Sequence, residues 1–321
     1  MTRLATIDYD HGITAIDAGY QRPGLAAFYL VVEGSRAAFI DTGTSHSLPL
    51  ALAALKARGL TAASVDFVIP THVHLDHAGG AGQMMQVFPQ AQLVVHPRGA
   101  RHLIDPVQLM AGVMEVYGVE AAAQLFGEVP PVPAVRVIEA PDRFVVELNG
   151  RALRFLDTPG HARHHFCVVD ERSRSIFTGD TFGLSYRELD SERGAFVLPT
   201  TTPVQFDPEA LHASIERLMD ERPQQAFLTH FGRVTELARL ADDLHVLIDL
   251  FVAMARPLRD AGAERIAQLI EGQRRILLPR LAAHRCRLAP EQIDALLAGD
   301  YELNAQGMAV WLDRERRAVT G

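Results

Sequence analysis

Four side chains that could bind a metal ion lie within six positions of the chain, at His72, His74, Asp76 and His77. They follow residues 66–70, "DFVIP", whose apolar residues have the composition of a β-strand. His72 and His74 are two positions apart, so in an extended segment their side chains share one face. Imidazole and carboxylate groups are the usual ligands of zinc, manganese and iron in proteins. The stretch therefore predicts part of a metal site. The alternative is a polar loop with scattered histidines, since the chain has 14 of them.

Three further polar residues follow apolar, strand-like stretches later in the chain: His161, Asp180 and His230. Each of them precedes a turn or a glycine. A fold that gathers strand ends at one edge would bring these three together with the first four. The combined set of five histidines and two carboxylates is sufficient for two metal ions. The two oxygens of Asp180 would allow it to bridge those ions.

The elements that must position these residues are mixed. Apolar runs rich in Val, Ile and Phe predict strands at 26–32, 37–43, 66–72, 91–97, 143–148, 152–161, 165–170, 175–180 and 226–230. Helical patterns occupy 47–60 and 207–220, the second with Asp207 as its N-cap and Pro208 at its first position. We predict a catalytic domain at 1–239 with a helical insertion at about 98–128, followed by a helical C-terminal extension at 240–321. This pattern indicates an α/β or α+β fold.

Composition excludes several classes of function. The chain of 321 residues has a net charge of −8, which argues against nucleic-acid binding. Lys56 is its one lysine, so Schiff-base chemistry is not expected. Its two cysteines, Cys167 and Cys286, do not make a disulfide framework. The N-terminus has no apolar signal region, and no apolar run reaches membrane-spanning length. We expect a cytoplasmic protein that acts on a small molecule, without nucleic acid or membrane as partner.

The motifs in combination resemble those of the metallo-β-lactamase superfamily. They are "THVHLDH" at 71–77, "IDTG" at 40–43, "TPGH" at 158–161 and "TGD" at 178–180, followed by His230. The resemblance covers residues 1 to about 235. It implies an α+β fold, the four-layer αββα sandwich of that family, with the helical extension added after it. The site is then expected at the edges of the two sheets.

The resemblance also assigns roles to the matching residues. It implies that the first metal is bound by His72, His74 and His161. The second is bound by Asp76, His77 and His230, and Asp180 bridges the two. Asp41 resembles an aspartate that braces the site through its hydrogen bonds. The expected cofactors are two divalent ions, zinc first, with iron or manganese as alternatives.

The expected activity is hydrolysis. Two divalent ions acidify a shared water, and the resulting hydroxide can attack a carbonyl or phosphoryl centre. Asp76 is then the catalytic residue, because it binds the second ion and orients the nucleophile. His164, Tyr186 and Phe182 are candidate substrate contacts, although histidines and aromatic residues at such positions are more often simply packed. The C-terminal extension is expected to cover the catalytic domain near the cleft or to form a homodimer contact.

Several substrates and two other classes remain open. Glyoxalase II-type thioesterases and lactonases of the family share the ligand order, but the glutathione grip of the former relies partly on lysine, and this chain has none after Lys56. A persulfide dioxygenase with one iron would need only His72, His161 and Asp180. A non-catalytic binding protein with the same fold is the third class. The complete ligand set favours a dinuclear hydrolase that cleaves a thioester, a lactone or a related ester-like bond.

Overall fold

The computed structural model describes residues 5–202 and 204–320, with side chains described through residue 317. Residues 1–4, at the start of the segment expected to lack a signal sequence, lie outside the described residues. The chain forms two compact units. The first, here called the sheet unit, runs through residue 157 and adds 164–179 and 225–233. The second, the helical unit, consists of 158–163, 180–224 and the chain from 234 onward. The domain division at residue 239 stays a prediction.

The first sheet of the sheet unit has seven strands in sequential order. Neighbouring strands pair antiparallel from the first to the fourth and parallel from the fourth to the seventh. The strands are β1 (Thr6–Tyr9), β2 (Ile13–Asp17), β3 (Ala27–Glu33), β4 (Arg36–Ile40), β5 (Val65–Ile69), β6 (Gln92–Val95) and β7 (Val137–Glu139).

The second sheet has six strands. They are β8 (Val145–Leu148), β9 (Arg151–Asp157), β10 (Phe166–Asp170), β11 (Ser175–Gly179), β12 (Gln225–Leu228) and β13 (Gly232–Val234). β8 to β11 pair antiparallel in sequence order, and β12 lies parallel to β11. Both sheets are therefore mixed, and the chain returns to the second sheet at β12 only after an excursion of about 45 residues through the helical unit.

An apolar core joins the two sheets face to face. Tyr29 from the first sheet and Phe155, Phe177 and Phe227 from the second belong to one buried cluster. The Tyr29 ring centroid lies 5.2 Å from that of Phe177, and the Phe177 and Phe227 rings stack at 5.0 Å. The Tyr29 hydroxyl donates to the backbone carbonyl of Leu228, which satisfies the one polar atom of that ring. The alternating side chains of each strand supply this core from one face.

Six helices of the sheet unit cover the other face of the first sheet or lie beside it. They are α1 (Leu48–Ala57), α2 (Leu75–Ala78), α3 (Ala81–Val87), α4 (Pro97–Ile104), α5 (Val107–Tyr117) and α6 (Val119–Phe126). A second apolar cluster contains Phe39 of β4, Leu55 of α1 and Met84 of α3. The Phe39 ring stacks on Phe88 at a centroid distance of 5.5 Å. The segment predicted as a helical insertion thus holds α5, α6 and nearly all of α4.

The helical unit contains α7 (Pro208–Asp220), α8 (Leu237–Ala255), α9 (Arg265–Ala283) and α10 (Pro290–Thr320). The Asp207 side chain accepts a hydrogen bond of 3.1 Å from the Ala210 backbone, which confirms the predicted N-cap of α7. Apolar faces of the last three helices are buried, with Leu244, Leu277 and Leu297 almost inaccessible. Within the described part of the chain, no helix combines the length and apolar character needed to cross a membrane.

Four short strands were not predicted from the sequence: β1, β2, β7 and β13. β1 is an exposed edge strand with the sequence "TIDY", so it has no apolar run to detect. β7 and β13 have three residues each, fewer than a pattern of alternation needs. β2 is buried but contains a threonine and ends in Asp17, and its pairing with β3 depends on a contact across the intervening loop.

Candidate metal centre

Asp41 connects three strand ends of the sheet unit. It follows β4 directly, is 1% exposed, and has a positive φ of 56°. Its Oδ1 accepts hydrogen bonds from the Thr71 amide at 2.7 Å and the Thr71 hydroxyl at 2.9 Å, just beyond β5. Its Oδ2 accepts from the Thr229 hydroxyl at 2.6 Å, just beyond β12, and from His77 Nδ1 at 2.9 Å. One carboxylate therefore fixes the ends of β4, β5 and β12 and one ring of the histidine motif.

His77 and His230 present the same ring nitrogen to Asp76. A carboxylate and a carbonyl only accept, so the proton of each ring is on the Nδ1 that contacts them. For His77 the acceptor is Asp41 Oδ2, and for His230 it is the Leu25 carbonyl at 2.8 Å. Each Nε2 is then a lone-pair donor, 3.6 Å and 3.4 Å respectively from Asp76 Oδ2. The ligand atoms of these three residues lie within 4.8 Å of one another.

The spacing of this trio fits a divalent ion. Distances of 3.4 and 3.6 Å exceed those of charge-assisted N–H···O hydrogen bonds, which are typically about 2.7–2.9 Å. Two ligands at about 2.1 Å from one tetrahedral ion lie about 3.4 Å apart. His77 is buried completely, His230 is 7% exposed, and the Asp76 side chain is 22% exposed, so solvent reaches the carboxylate side. The structure thus brings together the three residues that were predicted to bind the second metal, and that role stays a prediction.

His72 and His74 lie side by side, as their spacing predicts. His72 Nε2 is 2.9 Å from His74 Nδ1, and the ring centroids are 4.4 Å apart. The Thr71 hydroxyl, which donates to Asp41, lies 3.2 Å from His72 Nδ1 and can accept its proton. Asp41 therefore also orients His72, through Thr71. The sequence analysis gave no hydrogen-bonding role to Thr71 or Thr229, because hydroxyls at strand ends are too common to indicate one.

In the helical unit, His161 and Asp180 form a pair of the same kind. His161 Nε2 lies 3.3 Å from Asp180 Oδ2, and both side chains are nearly inaccessible. His161 Nδ1 lies 3.4 Å from the Thr200 carbonyl and 3.3 Å from the Thr200 hydroxyl. Because the carbonyl can only accept, the ring proton is on Nδ1 and Nε2 faces the carboxylate. This arrangement matches that of His77 and His230 in the sheet unit.

His164 lies beside the histidine motif. It belongs to the sheet unit, is 7% exposed, and its ring centroid lies 6.3 Å from that of His72 and 5.8 Å from that of His74. His102 of α4 is 6.2 Å from the same ring, and burial lowers the pKa of His102. The role of His164 as a substrate contact stays a prediction.

His165, to which the sequence analysis gave no role, also contacts the histidine motif. It is buried completely, and its ring stacks on His72 at 4.8 Å. A Cβ at Gly179 would lie 2.6 Å from His165 Nε2 and 2.6 Å from the Thr71 hydroxyl. Gly179 also has a φ of 48°, so the glycine of "TGD" is required both by space and by backbone conformation.

Tyr186 and Phe182, the other two candidate substrate contacts, are packed inside the helical unit. They are 2% and 1% exposed. The Tyr186 hydroxyl donates to Asp300 Oδ1 of α10 at 3.0 Å. Their role in binding substrate stays a prediction.

The chain is similar to known proteins in sequence and in fold. Residues 22–230 match the family model described as "Metallo-beta-lactamase superfamily". The "Metallo-beta-lactamase fold-containing protein ST1585" of Sulfurisphaera tokodaii is 28% identical over 235 residues, which cover 70% of this chain and 80% of that protein. The "Acyl-coenzyme A thioesterase MBLAC2" of Gallus gallus is 30% identical over 175 residues, covering 50% of this chain and 59% of that enzyme.

A solved structure extends the fold comparison to the C-terminal helices. A metallo-β-lactamase family protein of Thermus thermophilus, TTHA1429, superimposes with a TM-score of 0.62 at 20% identity, covering 98% of this chain and 93% of that one. This similarity confirms the predicted fold, with two mixed sheets flanked by helices and a helical C-terminal part.

Proposed function

The chain belongs to the metallo-β-lactamase superfamily, and on that basis we propose that it is a metal-dependent hydrolase of an ester-like bond in a small molecule. The observation that carries the proposal is the trio of Asp76, His77 and His230. Their ligand atoms lie within 4.8 Å of one another, and hydrogen bonds from both imidazoles direct Nε2 toward the carboxylate. Two imidazole lone pairs that face a carboxylate make no hydrogen bond with it, so this arrangement does not stabilise the fold by itself. A metal ion bound between the three groups accounts for it.

We extend the proposal to a dinuclear centre. In it, His72, His74 and His161 would hold the first ion, Asp76, His77 and His230 would hold the second, and Asp180 would be shared between them. The support is the order of the motifs in the chain and the match to the family model, whose span of 22–230 includes all seven residues. Zinc is the metal we propose, since imidazole and carboxylate ligands in buried positions suit it.

Asp76, His77 and Asp41 have different roles in the proposed reaction. Bound ions of this type acidify a water molecule and polarise the carbonyl that it attacks. Asp76 is the most solvent-accessible member of its trio, so its carboxylate is placed to orient that water by accepting a hydrogen bond from it. His77 cannot take this role, because it is fully buried and its Nδ1 proton is held by Asp41. Asp41 keeps the ring in place throughout.

A thioester is the substrate class we favour. The relative named an acyl-coenzyme A thioesterase supports it, although this chain spans only part of that enzyme. A second relative, from Passalora fulva, is named an "Atrochrysone carboxyl ACP thioesterase" and is 26% identical over 226 residues, 67% of this chain and 52% of that enzyme. A glutathione thioester is less favoured, because Lys56 is the single lysine and it lies on the surface of α1.

The test is metal analysis of the purified protein combined with a substrate panel of acyl thioesters, lactones and phosphodiesters. We expect about two zinc ions per chain and turnover of the thioesters or lactones. About one iron per chain, together with oxygen uptake on a persulfide, would instead support the dioxygenase alternative. A fully loaded protein that cleaves nothing in the panel would favour the non-catalytic class.

A further inference from the structure

Helix α10 is hydrogen-bonded to the short segment Pro199–Thr201 of the helical unit through one buried side-chain amide, that of Asn304. Asn304 of α10 is 1% exposed. Its Oδ1 accepts from the Thr201 amide at 2.6 Å, and its Nδ2 donates to the Pro199 carbonyl at 3.4 Å. The Thr201 hydroxyl in turn donates to the Asn304 backbone carbonyl at 3.0 Å. Residues on both sides of Thr200 are therefore tied to α10.

The helix backbone itself approaches this segment closely. Gly307 lies three positions after Asn304, so the two residues occupy the same helix face. A Cβ at Gly307 would lie 1.6 Å from the Thr201 carbonyl oxygen, a distance no side chain could accept. The absence of a side chain at Gly307 thus allows α10 to come near enough for Asn304 to make its hydrogen bonds.

The residue held between these two anchors is the one that contacts His161. The Thr200 carbonyl and hydroxyl lie 3.4 and 3.3 Å from His161 Nδ1. They fix the ring proton on Nδ1 and so leave Nε2, 3.3 Å from Asp180 Oδ2, as the lone-pair donor. All residues of this path, from Asn304 through Pro199–Thr201 and His161 to Asp180, belong to the helical unit.

We infer that Asn304 is a positioning residue for His161: through Pro199–Thr201 it sets the orientation and the tautomer of an imidazole predicted to bind metal. The inference rests on the proposed function, in that His161 is a metal ligand there. It gives the C-terminal extension a role beyond covering apolar surface. Hydrogen-bonding partners that orient a metal-binding histidine commonly influence metal affinity about 10–100-fold when removed.

The alternative is that Asn304 merely stabilises the packing of α10. Gln273 of α9 is the matched control for this alternative. It is also fully buried, and its Nε2 donates a hydrogen bond of 2.8 Å to the Tyr301 carbonyl of α10. Among the residues that the structure describes, the hydrogen-bond acceptors of Gln273 are in α9 and α10 and not in Pro199–Thr201. Asn304→Ala and Gln273→Ala should both weaken the attachment of α10, but only the first should affect His161.

The experiment measures zinc affinity by competition with a chromophoric chelator, the visible spectrum of the cobalt-substituted protein, and thermal unfolding of the metal-free form. For Asn304→Ala we expect a dissociation constant about 10–100-fold larger for one ion and an altered cobalt spectrum. Gln273→Ala should lower the unfolding temperature with affinity and spectrum unchanged. Asn304→Asp, which keeps the acceptor for the Thr201 amide but loses the donor to the Pro199 carbonyl, should recover only part of the affinity.

The inference would be overturned if Asn304→Ala lost thermal stability but kept the zinc affinity and the cobalt spectrum of the wild type. If that variant fails to fold, Asn304→Leu takes its place, because leucine has nearly the same volume but makes neither hydrogen bond to Pro199–Thr201; unchanged affinity there would likewise refute the path. These readouts do not require turnover. A wild type that binds zinc but cleaves none of the panel would therefore overturn the proposed function while the affinity comparison still decides the role of Asn304.

Discussion

Replacing Asp41 by asparagine should show how far this carboxylate controls metal affinity, as distinct from the stability of the fold. The substitution keeps the shape of the side chain and exchanges one acceptor oxygen for an amide group that donates. It adds no backbone strain, since asparagine tolerates the left-handed conformation at φ 56° about as well as aspartate. Every change in behaviour can then be traced to the hydrogen bonds.

The size of the expected loss of zinc affinity follows from the four hydrogen-bond donors around Asp41. The new amide cannot lie on the Oδ1 side, where it would face the Thr71 backbone N–H, a donor that cannot rearrange. On the Oδ2 side it meets the Thr229 hydroxyl, which can rotate and accept, and His77 Nδ1, whose proton must stay unpaired or move to Nε2. An unpaired buried donor costs about 1–3 kcal/mol. A proton on Nε2 removes the lone pair that a metal needs, so in both cases affinity should fall about 10–100-fold.

The assay is zinc titration against a chromophoric chelator, with chemical unfolding of the metal-free protein alongside. Asp170→Asn is the control, because Asp170 is equally buried but pairs with Arg151 at 3.0 Å and not with the histidines. Breaking that buried pair should cost about 3–5 kcal/mol of stability and leave zinc affinity as it was. Wild-type affinity in Asp41→Asn would refute the reasoning that this carboxylate sets the tautomer of His77.

Three further predictions concern turnover and pH. Asp76→Ala should release metal and lower kcat on the order of a hundredfold or more, as metal analysis and steady-state kinetics would show; near wild-type turnover would exclude its proposed role. His164→Ala should keep the metal and raise KM or change substrate preference, and loss of metal would show that it acts as a ligand instead. Burial lowers the pKa of His284, so its neutral form is favoured in the fold, and stability should decline as pH falls below about 6.5. His284→Gln should reduce this decline in thermal unfolding between about pH 7.5 and 5.5, while an unchanged slope would contradict it.

The sequence was sufficient to predict the residues at strand ends, because a polar residue after an apolar run is a local signal. His161, Asp180 and His230 were each singled out in this way, whereas Asp41 was assigned its role by the resemblance to the family. The tight spacing of the histidine motif was likewise local, and its two first members share a face as alternation requires. The fold class followed from the same motifs by resemblance, and the superposition on a solved structure confirms it.

The contacts that hold these residues in place could not be predicted, because they join distant parts of the chain. Asp41 and Thr229 are 188 positions apart, and Thr201 and Asn304 are 103 apart. Tyr186 illustrates the consequence. Its position after the Asp180 motif made it a candidate substrate contact, which stays a prediction. The hydrogen bond from its hydroxyl to Asp300, 114 positions later, could not be predicted from the sequence. Neither periodicity nor composition contains information about such pairings; only the packed structure does.

Three of the histidines predicted to bind metal, His77, His161 and His230, share one arrangement, although their acceptors differ. Asp41 accepts a hydrogen bond from Nδ1 of His77. The Leu25 carbonyl accepts one from Nδ1 of His230, and the Thr200 carbonyl accepts one from Nδ1 of His161. Each acceptor belongs to the rigid frame near a strand end or to a segment tied to a long helix. The tautomer that offers Nε2 is therefore set by folding and does not have to be selected when an ion binds. Preorganisation of this kind lowers the free-energy cost of binding, and it explains why side chains that never touch an ion, such as Asp41 and Asn304, should influence affinity.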